Sequence, residues 1–412
     1  MKRSYLRIPV PAIIIAAVVF LSHSVVVEAA DEKAAGVVSA YDSSWLRSIE
    51  GESIDPSDWP AWRQSLRVGQ WVRIEGSDLS AVKPPFKVPG RLSARIDAWN
   101  GLAADRRTNR LFIAGNGGHA DYSGNEAYVI DLSSDEPAWR MLRPPTAKEF
   151  IVRSSAAERI FNDYYLDGRP SSTHTYYALN FLGSRNAVFK FGAGSLWGSG
   201  NEMNWKTDAF SLETNDWQPA NSWPDVVPDS RKGALAASIC MNTETEQVYI
   251  AAPRLRRFDP KSGAFEVLAR WPMNATSVYA RGCAVDPIRK RVVYFGDAYR
   301  SPNGGLIFDI ASGKFQQIEF SGDDVPAITK KDHNFAWYEP RRDKFLLKTR
   351  TGGRVYAIDP VSFESELLTT TGAEDMPDAH AGVHTRWQRL PRLGGYAYYP
   401  RHGSGIWFLA IE

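Results

Sequence analysis

An aromatic residue returns at nearly constant spacing through the second half of this 412-residue chain, each time opening a short strand-like run. Trp217, Phe265, Phe315 and Phe363 stand 48, 50 and 48 positions apart. Trp139 precedes them by a longer step of 78 residues, and Trp71 stands alone with no repeat in front of it. A period of this length, made of four short strands, is that of a β-propeller blade.

A second signal runs in step with the first. Six positions are each followed by a five-residue turn and then an apolar run. Asp105 leads RRTNR and LFIA, Leu182 leads GSRNA and VFKF, and Asn242 leads TETEQ and VYIA. Asp286 leads PIRKR and VVYF, Glu339 leads PRRDK and FLLK, and Leu390 leads PRLGG and YAYY. Short apolar runs between turn signals are what buried strands look like, and no sustained helical period competes with them. The sixth repeat supplies three strands before Glu412, and GQWVRIE at 69–75 supplies the fourth. Pairing that strand with the last repeat removes two sheet edges and closes the ring. The expected fold is all-β: a six-bladed propeller closed by its N-terminal strand.

The glycine pairs Gly117-Gly118 and Gly352-Gly353, with the fourth-strand aromatic, resemble the kelch-type propeller, the superfamily of the galactose oxidase central domain. The resemblance spans residues 70–412 and is degenerate, since Ala251-Ala252 stands where the third repeat should carry glycines. It implies a fold and leaves function open. A copper-radical oxidase is not expected: that chemistry needs a cysteine cross-linked to tyrosine and a ligand from a following domain. Here Cys240 and Cys283 fall within innermost strands of adjacent blades.

Lys2, Arg3 and Arg7, an apolar run from Ile13 to Phe20 and Val27-Glu28-Ala29 read as an export signal over residues 1–29, so a periplasmic or secreted protein with no remaining membrane span is expected. Residues 30–68, with Trp45, Trp59 and Trp62, form an extension; the propeller occupies 69–412. Residues 144–172 are an insertion between the first two blades, where Phe150, Ile151, Ala157, Ile160, Phe161 and Tyr164 have the spacing of one short helix, a lid over the site. The two cysteines face each other across adjacent blades. Usual sheet spacing favours two buried thiols, while convergence near the axis would allow a disulfide.

The 49 basic and 47 acidic residues nearly balance, so nothing points to nucleic acid. All six histidines beyond His23 map to one face, the one carrying the interblade connections and the second-to-third strand loops. Residues at the starts of the innermost strands should line the mouth of the axial channel. His174, Tyr177, Arg281 and His333 are the candidates for catalysis: His174 or Tyr177 as base, His333 as acid, Arg281 stabilising an anion. Trp99, Asn100, His119, Asp121, Tyr122, Trp197, Tyr279, Asn334, His384 and Arg386 are the candidates for ligand contact, the aromatics stacking and the polar groups bonding hydroxyls. The histidines lie in different repeats without metal-ligand spacing, so no metal site is expected, and no cofactor is indicated.

Two readings follow. One is an exported propeller that binds a carbohydrate or similar polar ligand at the top of its channel, with lyase or epimerase/mutarotase chemistry on an acidic sugar if it is an enzyme. The other is a protein-interaction scaffold of the cell envelope, which predicts a plugged channel.

Overall fold

The computed structural model describes residues 55–412 apart from 156, 193, 200–203, 228–236, 252–253, 273–280, 297–300 and 331–333. The expected signal segment, Trp45, Tyr279 and His333 lie outside the described residues.

Six antiparallel sheets form the blades. Blade 1 is Ala103–Asp105, Arg110–Ala114, Ala127–Asp131 and Arg140–Arg143; blade 2 is Leu179–Leu182, Ala187–Phe191, Thr207–Ser211 and Asp216–Trp217. Blade 3 runs Ser238–Met241, Val248–Ala251, Arg254–Asp259, Ala264–Arg270, and blade 4 Cys283–Asp286, Arg291–Tyr294, Gly304–Asp309, Lys314–Glu319. Blade 5 is Asn334–Glu339, Lys344–Thr349, Val355–Ile358 and Glu364–Leu367, with Ser321–Gly322 added in parallel at its outer edge. Blade 6 takes Trp387–Leu390, Gly395–Tyr398 and Trp407–Ala410 from the C-terminal end and Trp71–Arg73 from the N-terminal part. The ring closes as the unpaired repeat requires, with Trp71 opposite Leu409.

Strand register explains the aromatic period. Trp217 faces Phe210, Phe265 faces Phe258 and Phe315 faces Phe308, each pair with ring centroids 5.0–5.6 Å apart. Trp71 against Leu409 occupies the same register, and extending the Val129–Arg140 pairing by one residue puts Trp139 there too. Such cross-strand pairs stabilise a sheet wherever one face is buried. Phe363 does not belong to this set. It sits in the turn with φ 59°, and the equivalent strand position, opposite Ile358, holds Ser365. The added strand is the reason: Ser365 Oγ donates to the carbonyls of Ser321 and Asp323 at 2.8 and 2.7 Å, while the Phe363 ring turns against Phe320.

The six five-residue turns share one backbone device. In each, the fourth turn residue is left-handed: Asn109, Asn186, Glu246, Lys290, Asp343 and Gly394. A type I turn followed by one left-handed residue is a standard hairpin connection that matches strand twist. The leading residue caps this turn where it is acidic or amide. Asp105 accepts from the Arg107 N–H and Thr108 Oγ1, Asp286 from the Arg289 N–H, and Asn242 from the N–H groups of Glu244 and Thr245. Several arginines of these turns neutralise the buried carboxylates: Arg107 and Arg110 on Asp105, Arg289 and Arg291 on Asp286. Glu339 is held by Arg389 of blade 6 at 2.8 Å; burial opposes its ionisation, but the guanidinium outweighs it and lowers its pKa.

Cys240 and Cys283 form a disulfide, against the weighting toward free thiols. Innermost strands of neighbouring blades converge, so the two Cα atoms lie 5.7 Å apart rather than at ordinary sheet spacing. The insertion is also less helical than its apolar spacing predicts. One 3-10 turn, Lys148–Phe150, is its only helix among the described residues. Serine side chains there bond the backbone, Ser154 Oγ accepting from the Asn162 N–H and Ser155 Oγ from Glu158, which competes with helix. Of the extension, Trp62 packs edge-on to Phe408, and the buried Arg63 donates to the carbonyls of Leu393 and Glu412. No helix among the described residues is long and apolar enough to cross a membrane.

Candidate functional site

The axis is filled. Fully buried Tyr177 of blade 2 reaches across the ring, its ring 5.7 Å from that of Phe335 and its hydroxyl donating to the Asn334 carbonyl of blade 5. Toward the opposite face, the Arg106 guanidinium of blade 1 lies 4.2 Å over the Trp337 ring of blade 5. The residues able to meet a ligand therefore sit above this plug, beside the axis.

They are assembled by blades 1 and 2. The loop 115–126 runs against the strand Thr173–His174, which is itself paired with Gly194–Leu196. Gly118, at φ 85°, permits the approach: a Cβ there would meet the His174 backbone N at 2.4 Å. With that contact made, the His119 ring stacks on His174 with centroids 5.9 Å apart. Asp121 Oδ2 comes within 3.0 Å of His174 Nε2, and Arg91 donates to Asp121 Oδ1 at 2.7 Å. Trp99 covers the other side of His174 at 5.3 Å and is 37% exposed, the accessible aromatic of the group.

The electrostatics assign the proton positions. The hydrogen bond from His174, with Arg91 adding to it, holds the Asp121 pKa down to about 2. The carboxylate is therefore ionised and can only accept, so His174 donates from Nε2. Burial pushes His174 below its ordinary 6.5, against the pull of Asp121, so the ring is neutral near pH 7 with its lone pair on Nδ1. Among the described residues no hydrogen bond reaches Nδ1. A neutral imidazole oriented by a carboxylate can accept a proton or a hydroxyl hydrogen bond.

Backbone strain concentrates here. Trp99, Tyr176 and His384 each stand six residues before a turn-leading position, and each is left-handed, with φ of 54°, 44° and 48°. His119 is left-handed as well, φ 49°. For bulky residues this conformation costs about 1–3 kcal/mol apiece, and such strain gathers at ligand sites. The neighbours hold it in place: the Tyr176 N–H donates to the Trp99 carbonyl at 2.8 Å, and the His384 ring meets the edges of Tyr176 and Tyr177. By the same count His333 occupies the equivalent position of blade 5, outside the described residues.

Other expected site residues have structural work instead. Tyr177 is part of the plug, with its hydroxyl on the Asn334 carbonyl. Asn100 is buried and clamps Thr175 and the Ala94 carbonyl; Tyr122 is buried and donates to Glu126, whose own carboxyl is pushed up by burial. The Arg386 guanidinium donates to the carbonyls of Val383, Pro400, His380 and Gly382, and serves as a loop brace rather than a ligand contact. Arg281 donates to the Thr329 carbonyl between blades 4 and 5. Asn334 spends its side chain on Gly282 N–H and the Ile328 carbonyl, and buried His384 faces the Ala381 carbonyl. Trp197 lies beside the group under Arg153, and its carbonyl accepts from Ser154 of the insertion. Of the expected set, the structure brings together Trp99, His119, Asp121 and His174. Arg91 was not foreseen, because it falls in the connection before blade 1 where no repeat flags it.

No protein-family model matches the chain, and no curated protein matches it. Among solved structures, that of YjhT is similar at TM-score 0.38 and 11% identity, covering 65% of this chain and 73% of that one. The blade topology, rather than this likeness, carries the fold.

Proposed function

We propose that the chain is an exported, kelch-like propeller that binds a carbohydrate on the face formed by Trp99, His119, Asp121 and His174. The observation that carries this reading is the exposed Trp99 ring beside a neutral His174 oriented by ionised Asp121. An aromatic face adjoining fixed polar groups is the pattern of a saccharide-size polar ligand site. Export is supported by the basic and apolar start of the sequence and by the disulfide, which suits an oxidising compartment. If catalysis occurs, His174 Nδ1 is the group to take a proton from the ligand.

The test is calorimetric titration with neutral and acidic oligosaccharides, comparing wild type with Trp99→Ala. An exposed anchor whose truncation removes stacking area should weaken binding about tenfold or more. Equal binding by both proteins removes the Trp99 face from consideration. The scaffold reading is favoured by one observation, the plugged axis. It gains if no saccharide binds wild type.

A further inference from the structure

Ring closure builds a second concavity, separate from the Trp99 face. A groove of about 660 Å³ opens between the closing strand, the second-to-third strand loop of blade 6 and the connection from blade 5. Its size falls in the range of small-molecule sites. Arg73, the last residue of the closing strand, pairs in register with Trp407 and donates from Nε to the Ser404 carbonyl at 2.7 Å. That bond fixes the guanidinium; among the described residues no carboxylate forms an ion pair with its terminal N–H groups, while Asp78 lies within electrostatic reach. Arg401, also on the groove, makes no side-chain hydrogen bond or ion pair among the described residues. His402 sits between them. Burial, and then Arg95, lower its pKa, and its Nε2 faces the Arg95 guanidinium at 3.5 Å, so its proton is on Nδ1. Trp407, 6% exposed, lines the groove with the edge of a largely buried ring.

The lining is thus rich in donors, with Asp375 as its carboxylate acceptor. Guanidinium groups not spent on ion pairs can bond two oxygens of a carboxylate or a sulfate. Asp375 would repel a simple polyanion but accepts from hydroxyls. We propose that this groove binds an acidic sugar, its carboxylate or sulfate on Arg73 and Arg401 and a hydroxyl on Asp375. Both arginines are exposed, so replacing them should not disturb the fold.

The experiment titrates the exported protein with three probes of equal length: a uronic-acid trisaccharide, a sulfated trisaccharide and a neutral one. Wild type should bind one of the acidic probes and not the neutral one at this site, the preferred acid identifying the oxyanion. Arg401→Ala and Arg73→Ala should each weaken that binding tenfold or more, whereas Trp99→Ala leaves it unchanged. Unchanged affinity in both arginine variants, or no binding of either acidic probe, overturns the proposal. Loss of binding in Trp99→Ala alone would return the acidic ligand to the first site.

Discussion

At the scale of single residues, His174 is the informative group. Burial holds it neutral, so as pH falls the unfolded chain takes up a proton before the folded one does. Its contribution to stability is therefore full above its ordinary pKa of 6.5 and is lost as pH drops toward the lower folded value. Asp121 works in a separate window: its contribution is full above 3.8 and is lost as pH falls toward about 2. The melting temperature should fall between about pH 7.5 and about pH 5.5 in wild type, and fall less in His174→Gln, where this titration is gone. An identical drop in both proteins would show that His174 is not held neutral. The sequence announced His174, His119 and Asp121 through strand starts and a glycine-rich loop. It could not show that Tyr177, Asn100 and Arg386 are consumed by packing, because mouth position and burial are independent. A residue placed at the rim by register can still point into the plug.

At the scale of elements, turn chemistry was the most legible part of the chain. The six five-residue spacings correspond to six turns with a left-handed residue at one place. The third-to-fourth strand turns use the same device at Asn215, Gly263, Gly313 and Phe363. Gly313, at φ 66°, isolates the backbone term, since an added Cβ would meet nothing within 4 Å. Gly313→Ala should cost about 1 kcal/mol by urea denaturation, from the left-handed conformation alone, and Gly313→Asn less. No loss in the alanine variant would mean that the turn relaxes. The aromatic at 363 shows where pattern matching misleads. Spacing of 48 suggested equivalence, whereas the strand register puts Ser365 in that role, because an added outer strand made the aromatic dispensable. The insertion failed for a similar reason. Its apolar spacing was helical, but its serines satisfy the backbone locally.

At the scale of the whole molecule, the ring is closed once and stapled once. Trp71–Arg73 closes it by strand pairing, and the disulfide ties blades 3 and 4 covalently. Closure with a plugged axis forces ligand contacts to the top face and to the rim, where connections from different blades meet. Trp99 and His174 are proposed to form such a contact surface. A crystal structure of the protein soaked with the saccharide that binds most tightly tests it most directly. The expected result is a sugar ring stacked on Trp99 with a hydroxyl at His174 Nδ1. A sugar bound elsewhere, with the Trp99 face bare, would contradict it.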